Sequence, residues 1–356
     1  MRGVGLVVLG LAALLSGCGS GGGGSAINPN TYSVSLLQTA KTQSSSEAWF
    51  VDNSGRVIGI VHSDDGSSSL CSWLPGDNRP TLLNIPGEAF TSITLRAQTI
   101  GFRQRISNQD RIVYIGQSAA GVVDLLTGAT VTLLNLPGTT FSVPSDVNDA
   151  GVSVGTCYQD ASLVNPALPV MWSAMGEPTQ LTLPPGCDCA VANAINNSGQ
   201  ITGKAWSINF AVPPHAVVWN ADGSVLDETP LTPEQVSVGA EGLLISDNGY
   251  IVVGSPQIGP TRFDLVSPTG GVTHLIDPQS PFGVSVQAIN ALGQVAGNGG
   301  SGQPVVWNPD GSMIELPLPY PTMCMVRDIN DDGVVVGQAD SQNSIGRVAL
   351  EWTPSP

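Results

Sequence analysis

Charge is scarce in this chain and histidine scarcer: charged residues make up 11% of the 356, and there are three histidines. His62, His215 and His274 fall in different stretches, and neither a His-Glu-x-x-His zinc motif nor a Gly-x-Ser-x-Gly elbow occurs. The familiar sequence signatures of zinc peptidases and serine hydrolases are therefore missing. Basic residues are few as well, 12 Lys and Arg against 28 Asp and Glu. A field of that sign repels phosphate backbones and anionic head groups, which argues against nucleic-acid partners. Amphipathic helical stretches are also lacking, while 43 Gly and 27 Pro point to many short strands joined by many turns.

What is present is repetition. Seven times an apolar residue is followed by Asn, Asp or Ser, a two-residue polar turn, usually Gly, and a short β-branched strand. Clear copies are Ile195-Asn196-Asn197-Ser198-Gly199-Gln200-Ile201-Thr202-Gly203 and Ile329-Asn330-Asp331-Asp332-Gly333-Val334-Val335-Val336-Gly337. The second position recurs at 52, 107, 148, 196, 246, 290 and 330, a spacing of 40 to 55 residues that is typical of propeller blades. Downstream comes an apolar strand ending in Trp73, Trp172, Trp219, Trp307 or Trp352, then a polar turn and a last short strand. Val122-Val123-Asp124 and Phe263-Asp264-Leu265 stand in for the Trp strand in the second and fifth copies.

Each copy thus reads as four antiparallel strands, and such a sheet buries its faces only by stacking on its neighbours. The last copy stops one strand short at Trp352-Thr353-Pro354, while the alternating segment Tyr32-Ser33-Val34-Ser35-Leu36-Leu37 precedes the first. Pairing the two completes a ring and protects its edges. The expectation is an all-β, seven-bladed β-propeller of four-stranded antiparallel blades over residues 32–356, closed by the N-terminal strand. The consensus Ala-x-x-Ile-Asn-x-x-Gly-x-Val-x-Gly, followed by the Trp strand, resembles the bacterial extracellular HAF-repeat proteins over about residues 47–352. His215-Ala216-Val217-Val218-Trp219 matches the tripeptide that names that family, and the other copies lack the His. The resemblance implies a propeller-like fold and assigns no activity.

Residues 1–17 have the form of an export signal, with Arg2 before an apolar run from Val4 to Leu15. That run is shorter than the ~20 residues of a spanning helix. Leu15-Ser16-Gly17-Cys18 resembles the bacterial lipobox, which implies lipidation of Cys18; ordinary signal cleavage nearby is the alternative. Residues 18–31 then form a lipidated Cys and a Gly/Ser-rich tether. Gly19 after the Cys favours the outer membrane if the cell has two membranes. The expected location is the bacterial cell envelope, with the membrane engaged through acyl chains rather than charge.

Five cysteines follow Cys18. In an oxidising envelope Cys157, Cys187 and Cys189 are the disulfide candidates, because one blade of chain separates them. Cys-x-Cys without nearby His lacks zinc spacing. Asp328 to Gly333 matches the first half of a calcium loop, but Ala339 occupies the place of its closing Glu, and an ordinary Asn-Asp turn accounts for the same residues. No metal or cofactor is therefore assigned.

A ligand site in a propeller belongs where the innermost strands meet at the axis. The segments before each Ile-Asn carry Trp49, Arg103, Gln104, Arg105, Asp146, Asn193, Gln287, Arg327 and Asp328. Three arginines among so few basic residues suit an acidic sugar or a carboxylate-bearing peptide. The same arginines could instead pair with Asp146, Asp328 and backbone carbonyls to satisfy the channel wall. Two functions follow: a non-catalytic binding or scaffolding module for a glycan or an envelope protein, or a hydrolase or lyase working at the channel mouth with Asp146 and Asp328.

Overall fold

Tight Asn/Asp-Gly turns between β-branched runs make antiparallel ladders, and each repeat closes into its own sheet. In a computed structural model the described residues are 31–39, 45–77, 79–98, 106–163, 166–209, 211–226, 239–255, 262–280, 282–342 and 346–355, the side chains of 95–98 excepted. The leader, Cys18 and the tether lie outside them, as do Arg103, Gln104 and Arg105. The described strands form seven antiparallel sheets in sequence order around a ring, a seven-bladed β-propeller. Blades one, three, five, six and seven show four strands each. Three are described in blade two, and in blade four, where an isolated bridge from Trp219 to Val225 marks the fourth place.

Closure follows the expected exchange. Tyr32–Leu37 is the outermost strand of blade seven, paired with Arg347–Pro354 in a register running from Tyr32 opposite Pro354 to Leu37 opposite Ala349. The five repeated Trp show why the last blade needs that strand. Each indole N–H donates to a carbonyl just after the outermost strand of the preceding blade: Trp172 to Leu134 (2.7 Å), Trp219 to Thr182 (2.7 Å), Trp307 to Ile276 (2.9 Å) and Trp352 to Pro317 (2.8 Å). Trp73 does the same across the seam, to Gln38 at 2.9 Å. A buried indole thus finds its acceptor in the neighbouring blade at every such position, which is what a buried donor requires.

The last glycine of the motif also has a spatial reason. In blades one, three, four, five, six and seven the innermost strand carries a β-bulge, which skips Trp49, Ser145, Asn193, Leu243, Gln287 and Arg327 respectively. The bulge folds an inner-strand carbonyl over the second strand. A Cβ on Gly203 would lie 1.9 Å from the carbonyl oxygen of Val191, and one on Gly337 2.1 Å from that of Met325. Only glycine leaves room for the bulge there.

One element departs from the all-strand expectation. Gly87–Gln98 is an α-helix between blades one and two. Ala89 and Ile93, one turn apart and fully buried, press it against Ile112 and Tyr114 of blade two. The Ser92 hydroxyl accepts from the Ile115 N–H at 2.9 Å. Among the described side chains Ala89 and Ile93 are buried and Phe90 packs beside them, too weak a periodicity to stand out in the sequence.

Candidate functional site

The innermost strands surround the axis, and their ends build two different mouths. At one mouth lie the seven turns that follow each inner strand. Their second polar residue is Asn or Asp in six copies, and it reaches sideways rather than staying local. Its side-chain oxygen accepts the backbone N–H of the corresponding residue in the adjacent blade: Asn53 N to Asn108 (3.0 Å), Asn108 N to Asp149 (2.6 Å), Asp149 N to Asn197 (2.9 Å) and Asn197 N to Asp247 (2.8 Å). The belt resumes with Ala291 N to Asp331 (2.7 Å) and closes with Asp331 N to Asn53 (3.0 Å). Ala291 has no acceptor, so the step from Asp247 is replaced by Asn248 donating to the Ala291 carbonyl at 2.8 Å. Sequence reasoning assigned these residues to their own turns. The signal that could have revealed the belt is the recurrence of Asn or Asp one place after the turn-forming residue, where the local turn does not demand it.

A second layer lies just inside. Asp146 and Asp328 are buried, 2% and 7% exposed. Asp146 accepts from Val147 N at 2.9 Å and from Ile195 N of the next blade at 3.0 Å. Asp328 accepts from Ile329 N at 2.9 Å and from Val51 N at 3.0 Å. Each carboxylate bridges two backbone donors beside a bulge, and both side chains are buried. That corrects the expectation of a channel acid pair: the side chains are turned into the blade seams because the bulge leaves N–H groups there to be satisfied.

Trp49 is corrected in the same sense. It is 2% exposed, packs with Phe50, Ile58 and Ile60, and donates to Glu47 Oε2 at 3.0 Å. Asn193, Gln287 and Arg327 do sit half-buried at bulge positions beside the axis. Gln104 holds the matching place in the sequence of the second copy, outside the described residues. Asn193 donates to Glu241 Oε1 (2.9 Å) and to the Gly242 carbonyl (2.8 Å), and Lys204 pairs with Glu241 Oε2 at 3.0 Å.

At the opposite mouth the seam of blades seven and one gathers charge. Glu47, 5% exposed, receives Arg347 Nη1 at 3.0 Å. The Gln338 amide, oriented to satisfy both its ends, donates to Glu47 Oε2 (3.2 Å) and accepts from Arg347 Nη1 (3.2 Å) and Arg327 Nη2 (3.3 Å). Among the described residues, Arg327 Nε is buried without a hydrogen-bond partner. Burial pulls the Arg327 guanidinium down from its ordinary value; Glu47 opposes that shift and Arg347 adds to it.

The disulfide expectation is corrected: none of Cys157, Cys187 and Cys189 is in a disulfide. Cys157 lies in the blade-three core with Val170 and Trp172, its Sγ 3.3 Å from Ser142 Oγ, while Cys187 packs with the blade-four cluster. Cys157 and Cys187 thus pack in the cores of different blades, which sequence separation alone cannot show. His215 is exposed at its ring and its Nδ1 lies 3.0 Å from the Pro213 carbonyl, a local contact. Among the described residues no group of three His, Cys, Asp or Glu is placed to hold a metal ion, and no helix is long and apolar enough to cross a membrane.

Comparison with known proteins leaves the family open and supports the fold. No family model and no curated protein matches the chain. Among solved structures, an oligogalacturonate lyase in complex with manganese is similar with a TM-score of 0.55 and 13% identity, over 91% of this chain and 97% of the lyase. A Mycobacterium tuberculosis puromycin-hydrolyzing peptidase gives a TM-score of 0.54 and 13% identity over 91% of this chain; this chain spans about half of that peptidase, 54%. At this identity the likeness is one of fold.

Proposed function

We propose that this propeller is an envelope-anchored binding or scaffolding module, held to a bacterial membrane through acyl chains on Cys18 and presenting its axial mouths to a glycan or protein partner. The observation that carries the choice of binding over catalysis is the fate of Asp146 and Asp328. Both are buried, and each accepts from two backbone N–H groups. A glycosidase-type pair needs carboxylates that face one another across an open site about 5 to 10 Å wide. The resemblance to HAF-repeat proteins and the lipobox-like Leu15-Ser16-Gly17-Cys18 support the location, with the outer membrane favoured by Gly19. An acidic glycan or acidic protein segment suits Arg327, half-buried at a bulge beside the axis, together with Arg103 and Arg105, which the sequence places just before the second repeat motif.

The decisive experiment pairs a binding assay with an activity assay. Wild-type protein and the Asp146→Asn and Asp328→Asn variants are screened on an acidic-glycan array and against glycan and lactone substrates. Retained binding in all three with no turnover fits the module. Turnover lost in either Asn variant while the fold survives would establish the hydrolase or lyase reading. For the anchor, Cys18→Ala should move the protein from the membrane to the soluble fraction, and a variant that stays membrane-bound in high salt overturns acyl anchoring.

A further inference from the structure

The internal repeat offers a comparison that isolates one arginine. Arg56 and Arg111 occupy the same place in copies one and two, four residues after the turn-forming residue, and each reaches toward the next blade's turn. Arg56 meets Asp110 there, Nη1 to Oδ1 at 2.7 Å, and lies 3.8 Å from Asp52 as well. Arg111 meets Gly151, the residue that matches Asp110 in copy three. A Cβ built on Gly151 would lie 2.8 Å from Arg111 Nη1, so the guanidinium sits where an acidic side chain from that position would begin. Among the described residues Arg111 makes no ion pair and no side-chain hydrogen bond, although the chain carries more than two acidic groups for each basic one.

The space around it is a cleft of about 260 Å³ between blades two and three, lined by Arg111, Asp124, Val122, Val131, Ser173 and Ala174 among others. Asp124 stands opposite Arg111 across the strand pair, and its Oδ1 is held by the N–H groups of Leu126 (3.1 Å) and Thr127 (2.8 Å). It makes no ion pair with Arg111. On the same turn face, Leu126 and Met175, 51% and 81% exposed, stand on the turns that supply Asp124 and Ser173 to the cleft.

We propose that this cleft binds a carboxylate, with Arg111 as its anchor and the aliphatic wall of Val122, Val131 and Ala174 taking the ligand's apolar body. The site lies beside the blade-three turn, away from the inner-strand positions at the axis, and does not rest on the reading given for them. An Arg is suited to a carboxylate by its planar fork of donors, and the partly enclosed wall strengthens the pairing. The volume falls below the ~300–1,000 Å³ of sites for drug-sized ligands. It suits a small branched acid or one acidic side chain of a polypeptide, and not an oligosaccharide.

The test uses the detergent-solubilised full chain and three probes: 4-methylpentanoate, its uncharged amide of the same shape, and a tripeptide with blocked ends and a central Glu. Calorimetric titration should show saturable binding of the free acid or the peptide, with the amide at least about tenfold weaker because it lacks the charge. Binding of the free acid identifies a small-molecule site, and binding of the peptide alone identifies an acidic polypeptide side chain. Arg111→Gln should abolish the preference for the charged probe. Gly151→Asp recreates the Asp110 arrangement, and Asp110 itself shows that the backbone accepts it, at φ 57° against 80° for Gly151. That variant should lose binding and melt higher than wild type, and the gain should vanish when Arg111→Gln is added. No preference for either charged probe over the amide in wild type, or a preference that survives Arg111→Gln, would overturn the proposal.

Discussion

Deleting residues 26–38 removes the strand that closes the ring, and the structure sets the size of the effect. Tyr32 and Leu37 are 8% and 5% exposed, and Val34 packs on the blade-seven core beside Trp352. Losing the burial of the first two costs about 1.5 to 3 kcal/mol each. Trp73 Nε1 also loses the Gln38 carbonyl, its acceptor at 2.9 Å, and an unsatisfied buried donor costs about 1 to 3 kcal/mol. The total is roughly 4 to 9 kcal/mol, against a typical stability of about 5 to 15. With an unfolding entropy of about 2.1 cal/mol/K per residue, a domain of this length loses about 1.5 °C per kcal/mol, so the melting temperature should fall by roughly 6 to 14 °C. Calorimetry on both proteins reads the shift directly, and light scattering reads aggregation through the newly open edge of Arg347–Pro354. A truncated protein melting within about 2 °C of wild type would refute the closure energetics.

Three further outcomes follow from the same structure. Gly203→Ala drives a Cβ to 1.9 Å from the Val191 carbonyl, so chemical denaturation should show a loss of at least about 1 to 3 kcal/mol, and an unchanged midpoint would show that the bulge can relax. Burial raises the Glu351 carboxyl above its ordinary value and the Thr353 hydroxyl partly offsets it. The folded state therefore favours the protonated acid, a stability present below the unfolded value of about 4.3 and lost as pH rises through the folded one. Glu351→Gln should raise the melting temperature at pH 7 and leave it unchanged at pH 3.5; the opposite pH dependence would contradict the burial argument. Among the thiols of the described residues, Cys187 alone is half-exposed, whereas Cys324 is buried with its thiol pushed up to about 11, chiefly by desolvation, and Cys71 is pushed up by burial alone. Alkylation of the native, oxidised protein should label Cys187 first, and a mass-mapped disulfide from Cys157 to Cys187 or Cys189 would reinstate that pairing.

The architecture was legible in the sequence because its determinants are local and periodic. A turn needs Asn, Asp and Gly at fixed places, a buried strand needs β-branched residues, and seven copies at blade-like spacing allow few other solutions. Even closure could be read, since an orphan strand at one end and a missing strand at the other are both visible along the chain. The site was legible only as a set of positions. Trp49, Asn193, Gln287 and Arg327 all fall at the bulge, yet which of them face the axis depends on a backbone irregularity that shifts side chains from face to face.

Asp146 and Asp328 show the limit most clearly. Their sequence context is that of channel-lining acids, and each is buried with a backbone N–H of a neighbouring blade among its partners, 49 residues on or 277 residues back. The Asn and Asp belt, the five indole ties and the approach of Arg111 to Gly151 are likewise relations between adjacent blades. Residue type and spacing determined what each blade is, because those forces act along a strand and its turn. Only the ring decided what each side chain touches, because hydrogen bonds and ion pairs act through space, and stacking brings together residues that the chain keeps 30 or more positions apart.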